Sequence, residues 1–213
     1  MNTITPETID KVIGTLKKNE MEAVFFQTAA EAKEEILRRI PPRAKVGFGG
    51  SVTLREIGII EALEKRGDEV YDHWKEGLSK EGRQEVGKKQ QRAEFFLTST
   101  NALTLDGKLI NVDASGNRVT SMIFGPERVI VITGINKIVK NLKEGLARIK
   151  KVAAPRNCQR RKDPTPCAQD LKDLTCHNCK TPARICRVTT IIERRPWGIR
   201  DFTVILVGEE LGY

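Results

Sequence analysis

Five cysteines, Cys158, Cys167, Cys176, Cys179 and Cys186, share one short stretch of the chain, spaced C-x8-C-x8-C-x2-C-x6-C. Thiolates are soft ligands, and the pair Cys176 and Cys179 can present two sulfurs to one metal or cluster. The same stretch, residues 151–187, holds nine basic and three acidic side chains, a net +6 out of the +9 of the whole chain. A 4Fe-4S cluster held by four thiolates carries about −2, so this basic surround is suited to it. A zinc ion on four thiolates carries the same charge, and His177 is a further zinc ligand. Electrostatics therefore leave both open. The absence of a second CxxC, which a zinc ribbon would show, favours an iron-sulfur cluster on four of the five cysteines, with zinc as the alternative. Pro155, Pro164, Pro166 and Pro182 suit the irregular backbone that wraps such a site. The CxxC does not open a helix after a strand, which argues against thioredoxin-type chemistry.

A second kind of chemistry is suggested by Gly47-Phe-Gly-Gly-Ser-Val-Thr53, placed where a strand ends and a helix begins. Glycines let the backbone approach a ligand closely, and a helix amino terminus offers unpaired N–H groups to an anion. No lysine follows at the spacing of a phosphate-binding P-loop, and the dinucleotide fingerprint is incomplete. Gly49, Gly50, Ser51 and Thr53 are the expected contacts for a small anion. Ser99, Thr100 and Asn101, then Asp113, Gly116, Asn117 and Arg118, form a second polar set. Arg118 is suited to a bidentate grip on a carboxylate or phosphate. Asp106-Gly107 reads as a turn, His73 as a turn or surface residue, and Glu56 as a helix cap.

The elements that must position these residues alternate. Thr5 and Pro6 open an amphipathic helix carrying Ile9, Val12, Ile13 and Leu16. A strand at 23–26 precedes a capping box, Thr28 with Glu31, whose helix must end before Pro41. A strand at 45–48 runs into the glycine loop, and Thr53 with Glu56 makes a second capping box for a helix through Leu63. A strand at 69–71, a polar helix at 80–92 and a strand at 95–98 continue the alternation, which predicts an α/β domain with an open, mostly parallel sheet and flanking helices. A hairpin about Asp106-Gly107, a β-branched strand at 128–133 and a helix with Leu142, Leu146 and Ile149 complete residues 1–150. Residues 151–187 read as a cysteine-rich excursion, and strands in 188–213 as a return to the α/β domain. In an open sheet of this kind ligands bind beyond the carboxyl ends of the strands, where the two polar sets should meet.

Composition bounds the rest. With 39% apolar and 31% charged residues of both signs, the chain belongs with folded globular proteins. The runs at 129–132 and 204–207 are far short of the ~20 residues that span a bilayer. MNTITPETID lacks the basic start and apolar run of a secretory signal, so a cytoplasmic location is expected, where cysteines serve metals more often than disulfides. Aromatic residues make up 5% and no RNA-binding signature accompanies the basic stripe at 140–162, so nucleic acid is not the expected partner.

Taken together, the glycine loop, Leu97-Thr-Ser-Thr-Asn-Ala102, Gly116-Asn-Arg118 and Gly125-Pro-Glu-Arg-Val-Ile-Val-Ile132 resemble the LUD domain of lactate-utilisation proteins over most of residues 5–150. The resemblance implies the open α/β fold of ribose-5-phosphate isomerase, glucosamine-6-phosphate deaminase and CoA transferases. It also implies a ligand role for the glycine loop, Asn117 and Arg118, and work beside iron-sulfur partners in oxidation of L-lactate to pyruvate. The cysteine segment resembles a subgroup of short stand-alone LUD proteins. The leading expectation is a small organic anion as ligand and an iron-sulfur redox role in oxidising L-lactate or a related acid. The alternatives are an isomerase- or transferase-like enzyme on a phosphorylated or CoA-linked substrate with structural zinc, and a non-enzymatic regulatory or nucleic-acid-binding module.

Overall fold

The amino-terminal amphipathic pattern becomes helix α1, Pro6–Lys18, in the computed structural model, which describes residues 4–169 and 175–213. Thr5 caps it by accepting from Thr8 N at 3.3 Å, and Val12 and Leu16 are buried beneath it. Strand β1, Glu22–Phe26, leads to α2, Ala29–Arg39, where both halves of the capping box form: Thr28 N donates to Glu31 Oε2 at 2.9 Å and Glu31 N to Thr28 Oγ1 at 3.2 Å.

Strand β2, Lys45–Phe48, enters the glycine loop, but the helix beyond it differs from expectation. It is a short α3, Val52–Glu56, which turns at Gly58 into α4, Ile59–Arg66. Ser51, not Thr53, is its cap, with an extended backbone and Leu54 N donating to Ser51 Oγ at 3.4 Å. Thr53 lies inside the first turn, and Glu56 accepts from the distant Gly212 N at 2.6 Å. The capping-box pattern pointed two residues too far along because Ser51 lacks the reciprocal glutamate that makes such a cap recognisable.

Strand β3 (Glu69–Asp72), α5 (Lys80–Gln90) and β4 (Phe95–Thr98) follow as expected. Ala102–Thr104 and Leu109–Asp113 are β5 and β6, an antiparallel hairpin about Asp106-Gly107. The Gly116-Asn-Arg118 stretch of the second polar set opens helix α6, Asn117–Ile123, with Gly116 at its cap position. Strand β7, Arg128–Gly134, ends in a 3-10 turn, Ile135–Lys137, before the two-residue β8, Ile138–Val139. Helix α7, Leu142–Arg148, does not stop near residue 150. It passes through a π-helical turn, Ile149–Ala153, into α8, Ala154–Arg161, so Cys158 rides on the same helical run. A one-turn α9, Pro166–Gln169, strand β9, Val188–Ile192, and strand β10, Asp201–Val207, complete the chain. Residues 170–174 of the cysteine segment lie outside the described residues.

Among the described residues β1, β10, β7, β4, β2 and β3 form, in that order, a six-stranded sheet in which every pairing is parallel. Its strands alternate between two cores: Ile205 and Val207 pack on one face with α2 to α4, whereas Phe202, Val204 and Leu206 pack on the other with α1. Beyond the second face lies a four-stranded sheet in the order β8, β5, β6, β9. Of the two late strands, β10 enters the parallel sheet and β9 pairs with β6 in this smaller one. Among the described residues no helix is long and apolar enough to cross a membrane.

Candidate functional site

Because the strands of the large sheet run one way, the loops leaving β2, β3, β4, β7 and β10 converge at one edge. There they surround a cleft of about 820 Å³. Gly50, Ser51 and Thr53 line it from the glycine loop, Ser99, Thr100 and Asn101 from the end of β4, and Asp113, Gly116, Asn117 and Arg118 from the turn into α6. Gly49 stands just behind them: a Cβ there would lie 2.6 Å from Thr98 Oγ1, and one at Gly50 would lie 2.5 Å from the Trp74 ring. The glycines are needed because the backbone packs directly on other residues.

Arg118 does not reach freely into this space. Its Nη2 and Nε bind Asp113 Oδ1 at 2.5 and 2.8 Å, and Nη2 also donates to Val112 O and Asn101 Oδ1. Asp113 Oδ2 accepts from Val119 N at 3.2 Å, so the pair ties β6 to α6. Thr100 and Asn101 are likewise bonded into the hairpin, through Ile110 O and Val112 N. These residues shape the cleft wall.

The group with its functional end toward the cleft was missed by sequence reasoning. Lys137, on the turn after β7, is 2% exposed, and its Nζ donates to Thr53 Oγ1 at 2.8 Å and approaches Ser99 Oγ at 2.9 Å. Burial, then the positive charges of Arg148 and Arg118, pull its pKa down to about 7, with Glu56 acting the other way. Arg148 is held by Asn101 O at 2.6 Å and Asn136 O at 3.0 Å. The available signal was position: Lys137 follows the carboxyl end of an apolar strand, where open α/β sheets place ligands. His73, read as a turn residue, also lines the cleft, its Nδ1 2.9 Å from Gln90 Nε2, and burial holds its pKa below the usual value. Trp74 beside it is covered by Arg160 at 4.0 Å and Arg55 at 5.1 Å. The end of the chain closes the wall, with Tyr213 bonded to Asn157 and Arg160.

All five cysteines border a second, small cavity of about 20 Å³. Cys158 on α8 and Cys167 on α9 are buried, and Cys176, Cys179 and Cys186, on irregular backbone, are partly exposed. Arg184 braces that backbone, donating to Cys179 O at 2.6 Å and Cys186 O at 2.8 Å. Burial raises the pKa of the Cys158 and Cys186 thiols. Among the described residues no three His, Cys, Asp or Glu side chains are grouped to hold a single metal ion. Ala154, Ile185 and Cys186 border both this cavity and the cleft.

A family model for the LUD domain matches residues 9–207. The chain belongs to the LUD domain family. In this LUD protein the match runs beyond residue 150, taking in the cysteine segment and β10. A DUF162 family protein from Deinococcus radiodurans, known from its crystal structure, is similar over 95% of this chain and 97% of its own, with a TM-score of 0.56 and 16% identity. At that identity the likeness concerns the fold. No curated protein matches the chain. The LUD family is associated with lactate utilisation, and the open α/β architecture expected of it is the one found here.

Proposed function

We propose that this LUD protein binds a small organic acid anion in the cleft and carries an iron-sulfur cluster at the cysteine cavity, serving the oxidation of L-lactate or a related acid beside other iron-sulfur proteins. The observation that carries this reading is the shared wall: Ala154, Ile185 and Cys186 separate the two cavities by a single layer of residues.

The donor set fits a cluster. A cubane takes one thiolate on each iron, and the cysteines arrive on α8, on α9, on the CxxC turn and just before β9. Four of Cys158, Cys167, Cys176, Cys179 and Cys186 would hold it. Cys158 and Cys167 would hold it from helices α8 and α9, and Cys176, Cys179 and Cys186 from the irregular backbone between α9 and β9. When bound, the cluster supplies one-electron transfer. The chain's own groups do the rest: Lys80, Arg83, Lys88 and Arg161 line the cleft and draw in an anion, and the Ser99 hydroxyl offers it a hydrogen bond.

Anaerobic reconstitution tests this directly. Brown protein with about four irons and four sulfides per chain is expected, and the Cys176→Ser/Cys179→Ser double variant should fall to background iron. Colourless protein that retains zinc would overturn the cluster, and L-lactate failing to give calorimetric heat with the wild-type protein would overturn the ligand.

A further inference from the structure

We propose that Ser99, Lys137 and Thr53 form a nucleophile, base and orienting residue for acyl transfer, acting on a small activated carboxylic acid such as a thioester or ester. This activity goes beyond the redox reading and does not depend on it.

Protons and lone pairs assign the roles of the three groups. The Thr53 hydroxyl donates its only proton to Leu211 O at 3.2 Å, so its oxygen must accept the hydrogen bond from Lys137. That fixes one N–H of the amine and aims the group at Ser99 Oγ, 2.9 Å away. A neutral amine in this position has a lone pair to receive the Ser99 proton. Among the described residues no carboxylate hydrogen-bonds the amine: Glu56, the acidic group whose field reaches it, is itself accepting from Gly212 N. Arg148 from α7 and Arg118 from α6 add positive field, and burial favours the neutral form, as the depressed pKa of about 7 reflects. A nucleophile in hydrogen-bond reach of a base, the base held by a third group, is the arrangement that activates a serine, and serine-lysine pairs are among its known variants. Ser99 lies at the carboxyl end of β4 and lines the cleft.

In the forward step the Ser99 Oγ–H proton passes to Lys137 Nζ as Oγ bonds to the acyl carbon. The bond to the thiolate or alkoxide then breaks, and the leaving group takes the proton back from the Lys137 ammonium. Water or a second acceptor, deprotonated by the same amine, releases the acyl group and restores Ser99. No oxidant or reductant is consumed. The basic residues lining the cleft, Lys80, Arg83 and Lys88, suit an acyl donor that carries negative charge elsewhere.

The test is covalent labelling of the full-length protein by a fluorophosphonate and by p-nitrophenyl acetate, with the modified residue located by peptide mass spectrometry. One label on Ser99 is expected, forming with a rate that climbs with pH and levels off just above about 7, as Lys137 loses its proton. Lys137→Arg, which keeps the charge but cannot act as base, should label at least about 100-fold more slowly. Thr53→Val should slow labelling about 10-fold and Thr53→Ser should restore it. Circular dichroism is the check that each variant folds. Labelling of iron-free protein counts equally in favour. Absence of label from folded wild-type protein, label on Lys137 in place of Ser99, or a Lys137→Arg variant as fast as wild type would each overturn the proposal.

Discussion

Replacing Lys137 by methionine is expected to make the protein more stable near neutral pH. An ordinary lysine titrates near 10.5, and this one is lowered to about 7, so between those values the unfolded chain binds a proton that the folded one does not. Stability of the wild-type protein therefore rises with pH across that window, by up to about 1.4 kcal/mol per pH unit, and below it the penalty of burying the amine is felt in full. The ceiling on that penalty is about 5 kcal/mol. Methionine removes it but leaves the hydroxyls of Thr53 and Ser99 one partner short, at about 1 to 3 kcal/mol. A net gain of about 2 kcal/mol at pH 6.5 is expected, disappearing by pH 9.5. Urea unfolding at the two pH values measures it, and a difference that does not change with pH would show that the amine is not the source. A residue that costs stability where it sits is a mark of a functional site, since the fold alone would be better served by methionine there.

The opposite result is expected at Arg118. Both it and Asp113 have side chains only 10% exposed, and the guanidinium is the chief partner of the carboxylate. Arg118→Met leaves Asp113 buried and uncompensated, which should cost about 3 to 5 kcal/mol, seen as a large fall in the urea midpoint. Adding Asp113→Leu should recover much of that loss, since burying neither charge is far less costly than burying one. If the single variant unfolds at the wild-type midpoint, the pair is not what joins β6 to α6. Loss of ligand binding in Arg118→Met would follow from movement of α6 as much as from a lost contact, so this residue is a poor probe of the ligand. Ser99 and Lys137 are better ones.

What the sequence made legible was local. The glycine loop, the Thr28 capping box, the Asp106-Gly107 hairpin and the run at 128–133 each carry their signal within a few residues, and each forms as expected. The convergence of the two polar sets followed from a rule about parallel sheets. The rest depended on partners far away in the chain. Lys137 is defined by Thr53 and Ser99, 84 and 38 residues distant, and the inward turn of Arg118 could not be seen without Asp113 being placed beside it. Glu56 looked sufficient as a cap because its actual partner, Gly212, is 156 residues away. The continuation of the helix past residue 150 was not legible, since Pro155 stands among the prolines that suit irregular backbone. The π-helical turn at 149–153 and the placement of Pro155 in the first turn of α8 remove the conflict.

The order of strands has a consequence for synthesis. Among the described residues β1 pairs in the large sheet with β10 alone, so this first strand has no neighbour until β10 appears. While the chain is still on the ribosome, β1 and one edge of β7 remain open to any other extended chain. Every cysteine, by contrast, emerges before β10 does. Thiol chemistry on the nascent chain therefore begins before the sheet is sealed, and an iron donor or an oxidant meets these cysteines in a half-built domain. Conditions during expression, iron supply and oxygen above all, should shape the yield of folded protein more than conditions chosen after purification.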